Sequence, residues 1–294
     1  MTRRDSLELL LLSAFWGVSF LMIAWAGHDF PPMWVALLRS VFGAAVLVLV
    51  MRVGKVAFPP RALWPMLVLL AALNNAFPWL MFALGEQTVS SSVASILNAT
   101  TPLFTLLVTV GMRQTRPSRN TWLGVLVGLA GVALTVSGGV QAGQASPAGV
   151  LMILAAALSY GVGGVVAKRN TVGLTPLSVA GSQLVLSALL LLPFALLGAH
   201  PADVSLRAWG SVLVLGVFGS GLAYLLFYSL LSRVSPTQTT AVTYILPIWG
   251  LLWGALAGEH VGLGSLLGVV VVLAGVGLMN RLAAPPLPSV GGSA

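Results

Sequence analysis

The sequence predicts an all-α membrane protein with ten transmembrane helices, arranged as two inverted repeats of five helices. Three observations predict this fold: long apolar segments, an internal repeat, and an uneven distribution of Lys and Arg. Hydrophobic residues make up 58% of the chain and charged residues 7%, whereas soluble domains average about 45–50% and 25%. A soluble protein of 294 residues would need much more polar surface.

Ten stretches approach the roughly 20 apolar residues that a transmembrane helix needs. They are residues 7–27, 31–51, 62–84, 91–111, 121–139, 147–167, 175–197, 208–231, 237–257 and 262–280. The links between them are short. We therefore expect one helical bundle in the lipid bilayer, with no domain outside the membrane.

The second half of the chain repeats the first. Trp16 recurs as Tyr160, and the run GVLVGLAGVAL from Gly124 returns as GVVVVLAGVGL from Gly268, both 144 positions later. Each half holds five apolar stretches, and because five is odd the halves must cross the membrane in opposite directions. Inverted repeats of this kind occur in secondary transporters, with the substrate near the midplane between the halves. The predicted repeats cover residues 1–140 and 141–294.

The basic residues predict the orientation of the chain. If the N-terminus is cytoplasmic, twelve of the 14 Lys and Arg residues fall in the cytoplasm, Arg207 falls outside, and Arg39 lies within helix 2. Such an excess of positive charge marks the cytoplasmic side. Because Arg281 follows the last stretch, the number of crossings is even and both termini are cytoplasmic. The basic residues form no clustered face, so the net charge of +8 does not indicate nucleic-acid binding.

Residues that could carry out chemistry are few. The chain has no Cys, which excludes disulfides, thiolate metal sites and Cys nucleophiles. Its six acids and three His fall at helix ends or in links, and the HExxH and GxSxG motifs are missing. We therefore expect no enzymatic activity, no cofactor and no metal site. The absence of an acid or His from the helix centres favours a facilitator, or coupling through groups near the outer surface.

Arg39 is the charge that falls inside a predicted helix. It lies about eight residues into helix 2, roughly 12 Å from the membrane boundary at 1.5 Å per residue. An Arg there costs on the order of 2.5 kcal/mol or more unless it faces a cavity or finds partners. Two interpretations stay open: Arg39 binds a substrate carboxylate or forms a gating pair, or it holds neighbouring helices together.

Uncharged polar and aromatic residues lie at matching depths in the two halves. They are Asn74, Asn75, Trp79 and Asn98 in the first half, and Ser220, Tyr224 and Tyr244 in the second. Asn98 precedes Pro102 on helix 4, as Tyr244 precedes Pro247 on helix 9. A mid-helix Pro frees a backbone carbonyl, which is tolerated where helices line a cavity. Each polar residue alone could simply join helices, but the symmetric set predicts a cavity walled by helices 3, 4, 8 and 9.

Trp16 and Tyr160 add helices 1 and 6 to this predicted path, although Trp and Tyr are also common at membrane interfaces. Aromatic walls with amide groups suit an amphipathic or aromatic molecule. The predicted substrate-binding residues are Trp16, Asn74, Asn75, Trp79, Asn98, Tyr160, Tyr224 and Tyr244; Arg39, Pro102, Pro247 and Glu259 are assigned gating or structural roles.

Helices 5 and 10 carry glycines spaced by four, such as Gly124 with Gly128 and Gly264 with Gly268. Small residues at this spacing allow close packing of helices. We assign the two helices to a scaffold or to dimer contacts. The predicted state is a monomer, or a homodimer formed through helices 5 and 10.

Several segments resemble the drug/metabolite transporter superfamily, in its EamA-type branch. They are SAFWGVSF in helix 1, NATTPLFTLLV in helix 4, YILPIWGLLWGALAGE in helix 9 and GVVVVLAGVGLMN in helix 10, together with Arg39 in helix 2. The resemblance covers residues 7–281 and is greatest to the aromatic amino-acid exporters. In this family helix 4, like helix 9, commonly ends in Gly-Glu; Glu259 matches this pattern, but helix 4 is followed by Gly111-Met112, so the symmetric Glu pair is incomplete here.

The resemblance implies a ten-helix carrier of the bacterial inner membrane that works by alternating access. We predict an exporter of neutral, especially aromatic, amino acids or similar amphipathic metabolites. The alternatives are a multidrug or other-metabolite exporter and, in another class, a receptor or assembly scaffold that transports nothing. The repeat counts against the last, because a scaffold has no need of two opposed halves around a polar midplane.

Overall fold

The computed structural model describes residues 3–113, 117–231, 233 and 242–281. Within these ranges the regular structure is helical, apart from a single antiparallel bridge between Val89 and Ala145. Eight helices of 21–25 residues are long and apolar enough to cross a bilayer, and two shorter apolar helices follow them. The prediction of an all-α membrane protein is therefore confirmed. The predicted start of the ninth stretch, at residue 237, lies outside the described residues.

The helices are numbered α1 to α10 in chain order. Their bounds are α1 Arg3–Ala26, α2 Pro32–Val53, α3 Arg61–Gly85, α4 Ser91–Gly111, α5 Arg119–Gln141, α6 Pro147–Asn170, α7 Pro176–Leu197, α8 Leu206–Phe227, α9 Val242–Leu256 and α10 Leu263–Arg281. The last α-helical segment of α8, Ala223–Leu231, runs beyond Phe227.

Local sequence explains where most of these helices begin. Serine side chains at positions 90, 118, 146 and 205 each accept a hydrogen bond from a backbone N–H in the first turn of the following helix. Such capping satisfies one of the donors that a helix start leaves unpaired. Pro32 and Pro176 occupy the first turn of α2 and α7, where the missing N–H is not needed.

Three helices are interrupted near their centres. A π-helical turn over Ala72–Ala76 interrupts α3, and another over Val217–Leu222 interrupts α8. α4 consists of two segments, Ser91–Asn98 and Thr101–Gly111. Pro102 therefore lies in the first turn of the second segment, and its predicted position inside a continuous helix is wrong. Pro247 does lie inside its helix, α9.

Helix pairs from the two halves of the chain form most of the bundle. α5 packs along α10, and α2 packs along α7. α1 contacts α8 and α9, while α6 contacts α3 and α4. The glycines of α5 and α10 face each other within one chain, since Gly131 and Gly138 approach Val272 and Gly264. These faces are thus used inside the chain, and the homodimer through the two helices stays a prediction.

Apolar side chains fill the interior and also cover the outside of the bundle. Phe20, Ile96 and Ile153 are buried in the largest core cluster, which joins α1, α4 and α6. Leu126 and Leu197 are instead exposed. An apolar exterior suits a protein whose surroundings are lipid chains.

The two ends of the bundle differ in charge. One end, here called the basic face, carries the start of α1, Arg52 in the last turn of α2, Arg113 after α4, and Lys168 and Arg169 in the last turn of α6. The opposite end, here called the latch face, is formed by the links 27–31, 86–90, 142–146, 198–205 and 257–262.

We predict that Gly275→Ala destabilises the protein because α5 and α10 would have to separate. A Cβ on Gly275 would clash with the backbone nitrogen of Gly128 and lie 2.6 Å from the Gly124 carbonyl oxygen. Forced overpacking of this kind costs about 1–3 kcal/mol. Thermal unfolding in detergent should show a lower midpoint. Gly277→Ala is the control, because nothing lies within 4 Å of its Cβ, and an equal loss in both variants would contradict the prediction.

Candidate functional site

A cavity of about 570 Å³ lies inside the bundle. This volume is within the range of roughly 300–1,000 Å³ that is typical of small-molecule sites. The lining extends to Lys168, Thr171 and Leu174 at the basic face, whereas no residue of the latch-face links contributes to it. The cavity is therefore associated with the basic face and closed off from the latch face.

Seven of the twelve residues predicted from the sequence line this cavity. They are Trp16, Arg39, Asn74, Trp79, Asn98, Tyr160 and Tyr224. Asn75 is not in the lining; its amide Nδ2 donates to the Tyr224 hydroxyl at 3.1 Å and so holds that ring in place. The side chain of Tyr244 lies outside the described part of the structure. Pro102, Pro247 and Glu259 lie away from the lining.

The helix interruptions carry the polar groups. Asn74 and Asn75 lie in the π turn of α3, and Ser220 lies in that of α8. A π turn disturbs the backbone hydrogen-bond ladder, and here the Ser159 hydroxyl on α6 donates to the Leu73 carbonyl at 2.7 Å. Of these polar groups Asn74 belongs to the cavity lining, whereas Asn75, Ser159 and Ser220 lie behind it.

The break in α4 is satisfied within the helix itself. Pro102 has no N–H to donate to the Asn98 carbonyl, but the Thr101 hydroxyl donates to that oxygen at 2.8 Å. The Thr100 hydroxyl likewise donates to the Leu97 carbonyl at 2.6 Å. These local bonds leave the Asn98 side chain free to face the cavity.

Arg39 is held by two partners and faces the cavity. Its side chain is on α2, 7% exposed, and its Nε donates to the Ser220 hydroxyl at 3.0 Å. The guanidinium carbon lies 4.2 Å from the centre of the Trp79 ring, a distance typical of cation–π stacking. Arg39 thus stabilises the contact of α2 with α3 and α8 while placing its positive charge at the cavity wall.

Gln183 on α7 is a cavity residue that the sequence analysis missed. It lies 144 positions after Arg39, so the repeat offset already pointed to it. Its Oε1 accepts a hydrogen bond from Asn74 Nδ2 at 3.1 Å. Gln183 thus bonds to the π turn of α3, and Arg39 in the same way bonds to Ser220 in the π turn of α8. The path was assigned to helices 1, 3, 4, 6, 8 and 9, and the structure corrects this by adding α2 and α7.

Two amide oxygens remain as unused acceptors. Oδ1 of Asn98 and Oδ1 of Asn75 are buried and have no hydrogen-bond partner within the described ranges. Unsatisfied buried acceptors are uncommon and call for an explanation. Asn98 lines the cavity, so a bound molecule with an N–H or O–H group could satisfy its oxygen.

The charges of the cavity are of one sign. The lining includes Arg39 in the interior and Lys168 at the basic face, but no Asp or Glu among the described residues. In a site of low dielectric, an uncompensated positive charge favours an anionic group and disfavours a cation. Trp16, Phe20 and Phe82 provide an apolar wall beside this charge.

Glu259 ties the latch face together. It follows α9, and its carboxylate accepts from the backbone N–H and hydroxyl of both Ser91 and Ser92, at 2.7–3.0 Å. These donors lie at the start of α4, where the helix dipole also favours a negative group. We call this set of Glu259, Ser91 and Ser92 the carboxylate latch.

Other links reinforce this end. The Ser90 N–H donates to the Gln144 carbonyl at 2.9 Å, and Thr88 and Ser146 share a hydroxyl hydrogen bond of 2.7 Å. On the far side, the Ser205 N–H donates to Asp29 Oδ2 at 2.9 Å. Hydrogen bonds from Ser205 lower the pKa of Asp29. The latch face is thus joined across both halves of the chain.

An ion-pair cluster joins the two halves at the basic face. Arg233 pairs with Asp5 at 3.2 Å and also with Glu8 on α1. The hydrogen bond to Glu8, with further contributions from Asp5, raises the pKa of Arg233. This pairing connects the start of α1 to the region after α8.

A bundle of membrane-length helices around an amphipathic cavity defines a helical membrane carrier. Comparison with known proteins agrees: the EamA-like transporter family matches residues 6–137 and again residues 147–281. The chain belongs to this family. It is thus a multi-pass membrane transporter rather than an enzyme.

Several relatives are named as transporters. The chain is 29% identical over 260 residues to the uncharacterized inner membrane transporter YedA of Escherichia coli (strain K12), covering 85% of this chain and 82% of YedA. It is 29% identical over 274 residues to the uncharacterized transporter YdfC of Bacillus subtilis (strain 168), with coverage of 90% and 87%. Protein PecM of Dickeya dadantii (strain 3937) is 25% identical over 276 residues, with coverage of 90% and 91%. None of these three names states a substrate.

A solved crystal structure shares the fold. It covers 96% of this chain and 98% of its own, with a TM-score of 0.69 at 20% sequence identity. At this identity the similarity concerns the fold alone.

We predict that Glu259→Gln lowers the stability of the latch face. The Gln amide nitrogen would oppose a donor of Ser91 or Ser92, and hydrogen bonds to a charged group contribute about 1.5–3 kcal/mol. Hydrogen exchange of the first turn of α4 should accelerate. Ser91→Ala and Ser92→Ala each remove one of the four bonds and should give smaller effects; unchanged exchange in Glu259→Gln would refute the role of the carboxylate latch.

Proposed function

We propose that this protein is a secondary transporter that exports neutral amino acids with apolar or aromatic side chains. The observation that carries the proposal is Arg39, a buried guanidinium that lines the cavity with no acid among the described lining residues. Of the three guanidinium nitrogens, Nε alone has a hydrogen-bond partner among the described side chains, the Ser220 hydroxyl. A substrate carboxylate would neutralise this charge.

The rest of the cavity fits the remaining groups of such a substrate. Asn98 Oδ1 is a buried acceptor without a partner among the described residues, and it suits the ammonium group of an amino acid. Trp16, Phe20 and Phe82 form an apolar wall that suits an aliphatic or aromatic side chain. Tyr224, held by Asn75, adds a hydroxyl to the same cavity.

The charge distribution favours this substrate over the cationic compounds typical of multidrug export. Arg39 would repel a permanent cation, and the described lining offers no carboxylate to offset the repulsion. Placing two positive groups together in a site of low dielectric is costly. A scaffold that transports nothing would not explain why a charged group is kept at the wall of an internal cavity.

We also propose that ten helices cross the membrane as two inverted repeats, residues 1–140 and 141–294. The double family match supports this arrangement. So does the packing: the Gly131–Val272 contact of α5 and α10 has a counterpart, 144 positions shifted, in the contact of Gly275 with Gly128. Rocking of the halves would expose the cavity alternately at each end. In this state the latch face is closed by its hydrogen bonds.

The basic face is proposed to be cytoplasmic, with both termini on that side, in the inner membrane of a bacterium. The excess of Lys and Arg at this face supports the assignment. Since the cavity reaches Lys168 at the basic face, substrate would enter from the cytoplasm. Opening of the latch face would then release it outside.

We predict that recognition depends on the substrate carboxylate. In counterflow of labelled phenylalanine into proteoliposomes, unlabelled phenylalanine should compete, whereas phenethylamine, which lacks the carboxylate, should compete about 10–100-fold less, the ratio expected for loss of a charged hydrogen bond. A cationic dye should compete no better. Stronger competition by phenethylamine or the dye would shift the function to drug export, and absence of all counterflow would remove amino acids as substrates.

We predict that Asn98→Ala weakens binding of the ammonium group alone. Loss of the buried acceptor should reduce competition by phenylalanine several-fold, while competition by 3-phenylpropionate, which lacks the ammonium, should change little. Measuring both competitors in both proteins separates this contact from a general change in the cavity. An equal loss for both would assign Asn98 a structural role.

A further inference from the structure

Glu86 is an acid that the proposed transport site does not use. It follows α3 directly as its C-cap residue, and its side chain is 8% exposed. Neither carboxyl oxygen has a hydrogen-bond partner among the residues that the structure describes. An ionised carboxylate is very unfavourable in such a place, whereas a neutral carboxyl is tolerated.

Glu86 is the first residue of the latch-face link that follows the cavity-lining end of α3. Its N–H donates to the carbonyl of Phe82 at 2.8 Å, one turn back along α3, and Phe82 lines the cavity. On its other side, Thr88 bonds to Ser146 and Val89 pairs with Ala145. Glu86 is therefore buried next to the contacts that close this end, and we expect separation of those contacts to expose it to water.

The second acid at this end has the opposite environment. Glu259 accepts four hydrogen bonds from Ser91 and Ser92, so its negative charge is compensated by the start of α4. Glu86 has no such donors. Closure of the latch face thus favours a neutral Glu86.

The charged groups around Glu86 are few. Near this end α3 packs against α6, α2 and α1. Of the charged groups on these helices, Arg39 acts on Glu86, while the acids of α1 lie at the basic face. Burial raises the pKa of Glu86 well above the usual value, and the charge of Glu259 raises it further. The positive charge of Arg39 lowers the pKa of Glu86, but the effect of burial is larger.

We propose that Glu86 is a proton-binding site that couples closure of the latch face to protonation. The inference rests on the alternating access proposed above. When the latch face is closed, the carboxyl group holds a proton; when it opens, water reaches the group and the proton is released on that side. A rise in pH therefore favours the open latch face, and acid favours the closed one.

Infrared spectroscopy of the purified protein tests the protonation state without any substrate. At neutral pH the wild type should show the C=O stretching band of a protonated carboxyl group, and this band should be missing in Glu86→Gln. Asp203→Asn is the control, because Asp203 is an exposed acid of the latch face; it should keep the band. A wild type without the band, or a band that persists in Glu86→Gln, would overturn the proposal.

Thiol labelling tests the coupling. The chain has no Cys, so Ala94→Cys, at a fully buried position on α4, gives a single reporter of opening. Because the thiolate is the reactive form of Cys, the labelling rate at each pH is divided by the rate of the same thiol in the denatured protein. This corrected rate should rise with pH, by at most about tenfold per pH unit for one proton. In the Glu86→Gln background the corrected rate should stay low at every pH, whereas Glu86→Asp and Asp203→Asn should retain the pH dependence. A corrected rate that does not change with pH in the parent, or that still rises with pH in Glu86→Gln, would refute the coupling.

Counterflow of phenylalanine with the same proteins separates this proposal from the proposed function. If no amino acid is transported but the band and the pH-dependent labelling are present, the substrate assignment fails and the proton site stands. If phenylalanine is transported while labelling does not depend on pH, the proton site fails and the substrate assignment stands.

Discussion

The burial of one guanidinium group inside an apolar bundle constrains much of this structure. Arg39 is tolerated only because Ser220 accepts from its Nε and Trp79 covers its plane. Ser220 in turn lies in a π turn, and Trp79 follows the π turn of α3. The interruptions of two helices, the aromatic wall and the cavity therefore all meet at a single charge. What stabilises Arg39 also leaves its positive charge available to an anion.

Different interactions join the two halves of the chain at the two ends of the bundle. At the latch face, neutral hydroxyl and backbone donors converge on the Glu259 carboxylate. At the basic face, Arg233 bonds to two acids near the start of α1. The first kind of contact joins a carboxylate to neutral donors, and the second joins opposite charges at a partly exposed site, where salt screens their attraction. Interactions of these two kinds would respond differently to ionic strength, so the balance between the ends is set in part by the solution.

The sequence predicted the helices well because apolar length is a strong signal in a chain with so few charges. It also identified Arg39, Asn74 and Tyr160, since polar and aromatic residues at the centre of apolar stretches are conspicuous. Asn75, which was predicted together with Asn74 to bind substrate, is not in the lining, and its amide bonds to Tyr224 instead. Pro78 follows the π turn of α3 and has no N–H to donate to the Asn74 carbonyl, so the sequence marks an interruption of α3 but not its π-helical form. Gln183 could have been found, since the repeat offset carries Arg39 onto it.

The π turns have one further consequence. Each π turn contains one residue more than an α-helical turn. If α3 became a regular α-helix, the part of the helix on one side of Ala72–Ala76 would rotate by about 100° and move along the axis by about 1.5 Å relative to the other part. Asn74 would leave Gln183, and a neighbouring residue would take its place at the wall. The same step in α8 would withdraw Ser220 from Arg39. A helix with such a turn therefore has two possible registers, one with the π turn and one without it. Different side chains face the cavity in the two registers.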